Sequence, residues 1–197
     1  MTDATTSSLK PDFSPFHVSS RSFGWQAGAA FCGTLVLALA SYIQVPMIPV
    51  PMTMQTLAVT LIGALYGWRL GAITIVAWLA EAALGLPVLA GGASGVHVFL
   101  GPTGGYLFAF PIVGALTGWL AERGWNGSKA GLAFVAMILG NTACLLLGGA
   151  WLAAMIGVEQ AFLLGVAPFI LGGLLKSALG AATLAALAHS RIGRSIR

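Results

Sequence analysis

Lys176 is the residue whose position asks most of its surroundings. It lies in Phe169-Ile-Leu-Gly-Gly-Leu-Leu-Lys-Ser-Ala-Leu-Gly180, well inside an apolar stretch. An ammonium placed in hydrocarbon costs about 3 kcal/mol on insertion scales unless it is paired or hydrated, so it marks a functional site by default. Helical spacing puts Gly173, Lys176, Ser177 and Gly180 on one face. That face is small and polar, leaving room beside the cation for a guest that is not protein. The competing reading is a lysine that snorkels to lipid headgroups. Glu81, in Trp78-Leu-Ala-Glu-Ala-Ala-Leu-Gly85, is the one carboxylate inside an apolar stretch. It either pairs with Lys176 or touches a solute. Asn141 is a further polar candidate, for a site or for the interhelical hydrogen bonding that ties bundles together.

These residues need elements that cross a bilayer. The chain is 197 residues long, 58% apolar and only 7% charged. A soluble domain carries about 25% charged residues, so lipid must be the solvent for most of this one. A span needs about 20 apolar residues. Six are expected, over Gly24–Ile43, Gln55–Trp68, Leu70–Leu86, Gly105–Ala121, Gly131–Ile156 and Phe162–Ala188. The fold class is therefore an all-α integral membrane protein, a bundle of six transmembrane helices. A polar tail (1–22), a membrane domain (23–190) and a basic tail (191–197) divide the chain. The start lacks the layout of a cleavable signal and reads as a short cytoplasmic tail.

Basic residues set the orientation. Lys10 and Arg21 precede the first span, Arg69 separates the second from the third, and Arg123 and Lys129 separate the fourth from the fifth. Arg191, Arg194 and Arg197 follow the last. With six spans all of these fall on one side, which places both termini in the cytoplasm. The outer connections are then Val45–Met54, Pro87–Gly104 and the stretch around Glu159. The first holds Pro46, Pro49 and Pro51 and cannot be helical; it is either a lid that dips over a cavity or a surface loop. The second belongs to a glycine-rich run from Gly85 to Tyr106, suited to lining a cavity because glycine permits close approach and positive φ.

Several function classes are excluded or left without support. The basic residues are too few and scattered for a nucleic-acid footprint. No phosphate-binding loop of the Gly-x-x-x-x-Gly-Lys-Ser/Thr type is present, so ATP hydrolysis by that route is excluded. No paired carboxylates, His cluster or nucleophile–base spacing offers an enzyme site. Cys32 and Cys144 lie in apolar runs and read as buried thiols, with neither a disulfide nor a metal site. Ala29 and Gly33 put small residues four apart on the first span, for internal packing or for docking to another membrane protein. Gly114 and Gly118 repeat that spacing in the fourth.

Three strings carry a resemblance: Pro49-Val-Pro-Met-Thr-Met-Gln-Thr-Leu-Ala-Val59, Gly85-Leu-Pro-Val-Leu-Ala-Gly-Gly92 and Gly101-Pro-Thr-Gly-Gly-Tyr106. In this order and spacing the chain closely resembles the BioY family, the biotin-binding S components of energy-coupling factor (ECF) vitamin transporters. The likeness runs from about Ala27 to the last span. It implies a bundle in the bacterial cytoplasmic membrane that holds biotin near its outer face and needs no cofactor. It also implies partners: a transmembrane coupling subunit and cytoplasmic ATPases, with Ala29 and Gly33 on the docking face. The family pattern places an Asp three residues before the lysine of the last helix; here that position is Gly173, while Lys176 is retained.

Biotin offers two ureido N–H groups, a ureido carbonyl, an apolar thiophane and a valerate carboxylate. Glu81 or backbone carbonyls can accept from it, and Ser94, Thr103 and Asn141 can donate or accept. Tyr106 and Trp78 supply aromatic surface, and Lys176 meets either the carbonyl or the carboxylate. Gln55, Gly92, Gly104 and Gly105, from the matched strings, complete the candidate set. Two other readings stand beside this one: the same fold holding another vitamin-like solute, and a membrane scaffold or intramembrane enzyme without a transport role.

Overall fold

The computed structural model describes residues 22–195. The tail expected over 1–22, apart from Ser22, and the last two residues of the basic tail lie outside them. Helix α1 (Phe23–Tyr42) leads through a small hairpin, β1 (Gln44–Val45) and β2 (Met52–Thr53), into α2 (Gln55–Ala83). A 3₁₀ turn (Ala90–Gly92) and α3 (Val96–Leu100) follow within the glycine-rich stretch. Then come α4 (Gly104–Glu122), α5 (Ala130–Ile156), α6 (Val158–Ala161), a π-helical turn (Phe162–Val166) and α7 (Ala167–Ser195). The first five residues of the basic tail thus continue α7 as helix.

Among the described residues, 5 helices are long and apolar enough to cross a membrane, against the six spans expected. The difference lies in α2, which takes in both the second and third expected spans. Gly67 interrupts it at φ 81 and ψ 170, a backbone setting that only glycine adopts without strain. In an unbroken helix, residues eight apart lie about 12 Å apart. Here a Cβ on Gly71 would sit 3.0 Å from Gly63 Cα, so the chain folds back at Gly67.

The proline-rich connection also differs from a featureless extended loop. Gln44 pairs with Thr53 and Val45 with Met52, antiparallel. All three prolines fall between the paired residues, where no ladder amide is needed.

Helix α2 packs most extensively on α4, and α4 next on α5. Glycine makes that approach possible. A Cβ on Gly118 would lie 2.5 Å from Trp68 N and 2.7 Å from both Gly63 O and Gly67 C; one on Gly63 would overlap Gly114 O. The Gly114/Gly118 pair therefore serves packing inside the bundle, where close backbones replace the hydrophobic drive that lipid removes. Leu37, Ile75, Trp78 and Leu152 are fully buried in the main core and Met137 in a smaller one, while Phe31, Leu39, Ile73, Leu146 and Leu171 face outward.

The bundle's two ends differ. At one, Arg69 stacks 5.0 Å from the Trp68 ring and Arg123 lies 3.4 Å from that of Trp119. Trp68 N donates to Glu122 Oε1 at 3.1 Å in the same region. The hairpin and the glycine-rich stretch gather at the other. Gly118→Ala is expected to lower the thermal unfolding midpoint in detergent by several degrees, because its Cβ meets backbone that cannot yield. Gly28→Ala, with nothing within 4 Å, is expected to be neutral or slightly stabilising. Equal midpoints for Gly118→Ala and wild type would contradict the close α2–α4 approach.

Candidate functional site

Under the hairpin and the glycine-rich stretch lies a cavity of about 230 Å³. Its walls come from β2 and the start of α2 (Thr53, Gln55, Thr56), the glycine-rich stretch (Leu89, Ala90, Ala93), α4 (Tyr106, Leu107, Phe110), α5 (Asn141, Cys144, Leu145) and α7 (Phe169, Gly173, Lys176), together with Val50, Pro51, Val98 and Thr103. Most of this surface is apolar. A few polar groups converge on it, the usual make-up of a small-molecule site.

Lys176 is 8% exposed. Its Nζ donates to Thr53 O at 3.1 Å and to Thr56 Oγ1 at 2.7 Å. The snorkelling alternative fails on this geometry, since the ammonium turns inward to β2 and α2. An ammonium has three protons, and the described residues engage two of them. The third is engaged by none of the described residues, on a side chain that lines the cavity. Positions 169, 173 and 176 share a face because four plus three residues make nearly two turns, and all three line the cavity.

Other side chains fix the walls. Gln55 Nε2 donates to Ser41 Oγ at 3.0 Å, and its Oε1 accepts from Thr53 Oγ1 at 2.9 Å, tying the head of α2 to α1. Tyr106 stacks on Phe169 with ring centres 6.4 Å apart, and its hydroxyl donates to Gly165 O at 2.7 Å. Gly165 lies in the π-helical turn, where the ordinary i→i+4 ladder is interrupted. Asn141 Nδ2 donates to Met137 O and Ser177 Oγ, each at 3.0 Å. Thr103 sits at the head of α4 and also lines the cavity.

The glycine-rich stretch is pinned by aromatic side chains. Tyr42 OH donates to Pro87 O (2.5 Å), Trp78 Nε1 to Val88 O (3.1 Å) and Trp151 Nε1 to Gly101 O (3.0 Å). Trp78 is fully buried and supports the roof from behind rather than lining the cavity.

Not every expected residue reaches the cavity. Glu81 is half-buried near the end of α2 and outside the lining, and the hydrogen bonds of Lys176 go elsewhere, so the two do not pair. Gly92 and Ser94 lie in the roof, but its inner surface is formed by Leu89, Ala90 and Ala93. Gly104 and Gly105 face the Phe99 backbone and Trp151, where a Cβ on either would overlap its neighbours; their role here is packing. A Cβ on Gly33 would sit 2.6 Å from Thr74 Cγ2, and Ala29 O accepts from Tyr66 OH at 2.9 Å, so both serve α1–α2 packing. They also border an apolar groove of about 620 Å³ between these helices.

Sequence reasoning missed the partners of Lys176. Thr53 acts through its backbone carbonyl, which no side-chain pattern can reveal. Phe169 was within reach, one heptad before Lys176 on the same face.

A sequence profile described as the BioY family matches residues 18–193. A probable biotin transporter BioY of Pyrococcus horikoshii is 36% identical over 141 residues, covering 72% of this chain and 82% of that protein. The biotin transporter BioY of Rhizobium etli is 36% identical over 162 residues, covering 78% and 86%. Among solved structures, the crystal structure of the S-component for biotin from an ECF-type ABC transporter superposes with a TM-score of 0.75 at 26% identity. It covers 86% of this chain and 95% of that one.

Tyr106→Phe keeps the ring on Phe169 and removes the donor to Gly165 O. It is expected to cost about 1 kcal/mol of stability, read as a lower unfolding midpoint at unchanged helical content. No change in midpoint would mean that the π-helical turn does not depend on this hydroxyl.

Proposed function

The chain belongs to the BioY family, and from that premise we propose that it is the biotin-binding membrane subunit of an ECF-type uptake transporter. It captures biotin at the outer face and delivers it inward when coupled to a separate ATPase module. The observation that carries the reading is a buried ammonium with a donor to spare, set in the wall of a small apolar cavity. About 230 Å³ suits a compact bicyclic vitamin rather than a nucleotide. Phe110, Phe169, Leu89 and Val98 offer apolar surface for the thiophane. Lys176, Asn141, Thr103, Gln55 and Tyr106 are the residues we assign to the polar and aromatic contacts.

Charge supports an oxygen of the ligand near Lys176. The cation stands at the first turn of α2, the end of a helix where a positive charge is disfavoured. A carbonyl or carboxylate oxygen placed there would interact favourably with both the ammonium and the helix. Transfer itself needs no chemistry from this chain, and energy has to come from partners.

The proposed topology has six crossings with both termini cytoplasmic. The fold-back at Gly67 supports it, because it turns α2 into two legs, and so does the grouping of Arg69 and Arg123 at the end away from the roof. In this arrangement the roof faces outward in a bacterial cytoplasmic membrane, and Ala29 and Gly33 border the groove that we assign to the coupling subunit. Gly173 favours a second reading, in which the same site holds another vitamin-like solute.

Purified protein is expected to bind biotin, and Lys176→Ala to weaken binding by more than about tenfold, as loss of a charge-assisted hydrogen bond implies. Unaltered affinity in that variant would remove Lys176 from the site. A panel of biotin, desthiobiotin and other vitamins separates the two solute readings, biotin being expected to bind tightest. In a biotin auxotroph, uptake is expected when the chain is expressed together with a coupling module. Absence of uptake under those conditions would count against the transport role.

A further inference from the structure

The amide of Asn141 is locked in one orientation, and that orientation decides what a guest must bring to it. Asn141 is 6% exposed and stands in the cavity wall. Its Nδ2 lies 3.0 Å from Met137 O, a carbonyl that can only accept. The same Nδ2 lies 3.0 Å from Ser177 Oγ. Ser177 donates its single hydroxyl proton to Gly173 O at 2.8 Å, so toward Asn141 it too can only accept. Turning the amide over would set Oδ1 against Met137 O, oxygen to oxygen. The network therefore fixes which end is nitrogen.

Both protons of Nδ2 are engaged, and Oδ1 receives no hydrogen bond from any described residue. Nor is it sealed off, because no fully buried polar side-chain atom among the described residues lacks a partner. An unpartnered, accessible oxygen on a residue of the cavity wall opens on the cavity. Gly173 leaves space beside it: a Cβ there would lie 3.8 Å from Asn141 Cβ, in ordinary contact.

We propose that Asn141 Oδ1 is the acceptor for a ureido N–H of the bound ligand, with Ser177 as the positioning residue that holds the amide in place. The inference rests on the biotin-binding reading and deepens it by setting the ureido ring against α5 and α7. A carboxylate or carbonyl oxygen is excluded from this spot, since two acceptors would oppose each other across a site shielded from water. Lys176, which only donates, serves the ligand's oxygens instead. The two groups together distinguish the donor edge of the ring from every acceptor on the molecule.

The test uses the purified full-length protein and biotin alongside its two cyclic carbamate analogues. In each analogue one or the other ureido N–H is replaced by a ring oxygen, so a donor is lost without added bulk. Wild type is expected to bind at least one carbamate about tenfold or more weaker than biotin. In Asn141→Ala that loss should shrink to within about threefold, because the acceptor it reports on is gone. Ser177→Ala, which removes one of the two groups that hold the amide nitrogen, should reduce the discrimination. Equal affinity of wild type for biotin and both carbamates overturns the proposal, as does undiminished discrimination in Asn141→Ala. Should Asn141→Ala fail to fold, Asn141→Leu keeps the bulk and lacks the acceptor, and undiminished discrimination in that variant overturns the proposal equally. Failure of wild type to bind biotin at all is a different result, one that removes the biotin-binding reading itself.

Discussion

An ammonium held among membrane-spanning helices needs oxygen around it, and the site is organised by how that need is met. Lys176 finds the Thr53 carbonyl and the Thr56 hydroxyl, both at the junction of the hairpin and α2. The first connection of the chain is thereby fastened to the last helix across 123 positions of sequence. Gln55 extends the tie to Ser41 on α1. The cavity lies against this junction and is completed by the glycine-rich stretch, α4 and α5. A neutral residue at 176 would remove the attraction that joins hairpin to α7 as well as the cation itself.

The roof shows how a lipid-embedded chain handles irregular backbone. Loop carbonyls at membrane depth need donors, since hydrocarbon supplies none. Tyr42, Trp78 and Trp151 provide them for Pro87, Val88 and Gly101 from three different helices. Each of these side chains has an apolar body and one polar tip, so each packs among helices while holding a loop. The glycine-rich stretch is therefore positioned from beneath, while its small side chains let the roof lie close over the cavity.

Cation and acceptor are divided between two helices. Lys176 offers only donors, and Asn141 is left offering only an acceptor because Met137 and Ser177 engage its nitrogen. Gly173 gives this pair its room. With glycine at 173 no carboxylate stands beside Lys176, and the acceptor left open on Asn141 belongs to a neutral amide on α5. Nothing in this arrangement breaks a bond. It is suited to recognition, which fits a subunit that leaves ATP hydrolysis to others.

Much of this was legible from residue type and order. The low charge content required lipid, the spacing of apolar runs located the long helices, and a lysine with small neighbours on one helical face pointed to a residue that lines the cavity. Those properties are local or periodic, so a single chain displays them. Sequence places the turn between the second and third expected spans at Arg69; that it falls at Gly67, at φ 81 and with helix on either side, depends on one glycine's backbone angle. Sequence could not show that Glu81 stands apart from Lys176, that Gly104 and Gly105 pack on Trp151, or that Thr53 receives the ammonium through a carbonyl every residue possesses. Such facts depend on which helices meet and at what depth, and only the packed tertiary structure decides that.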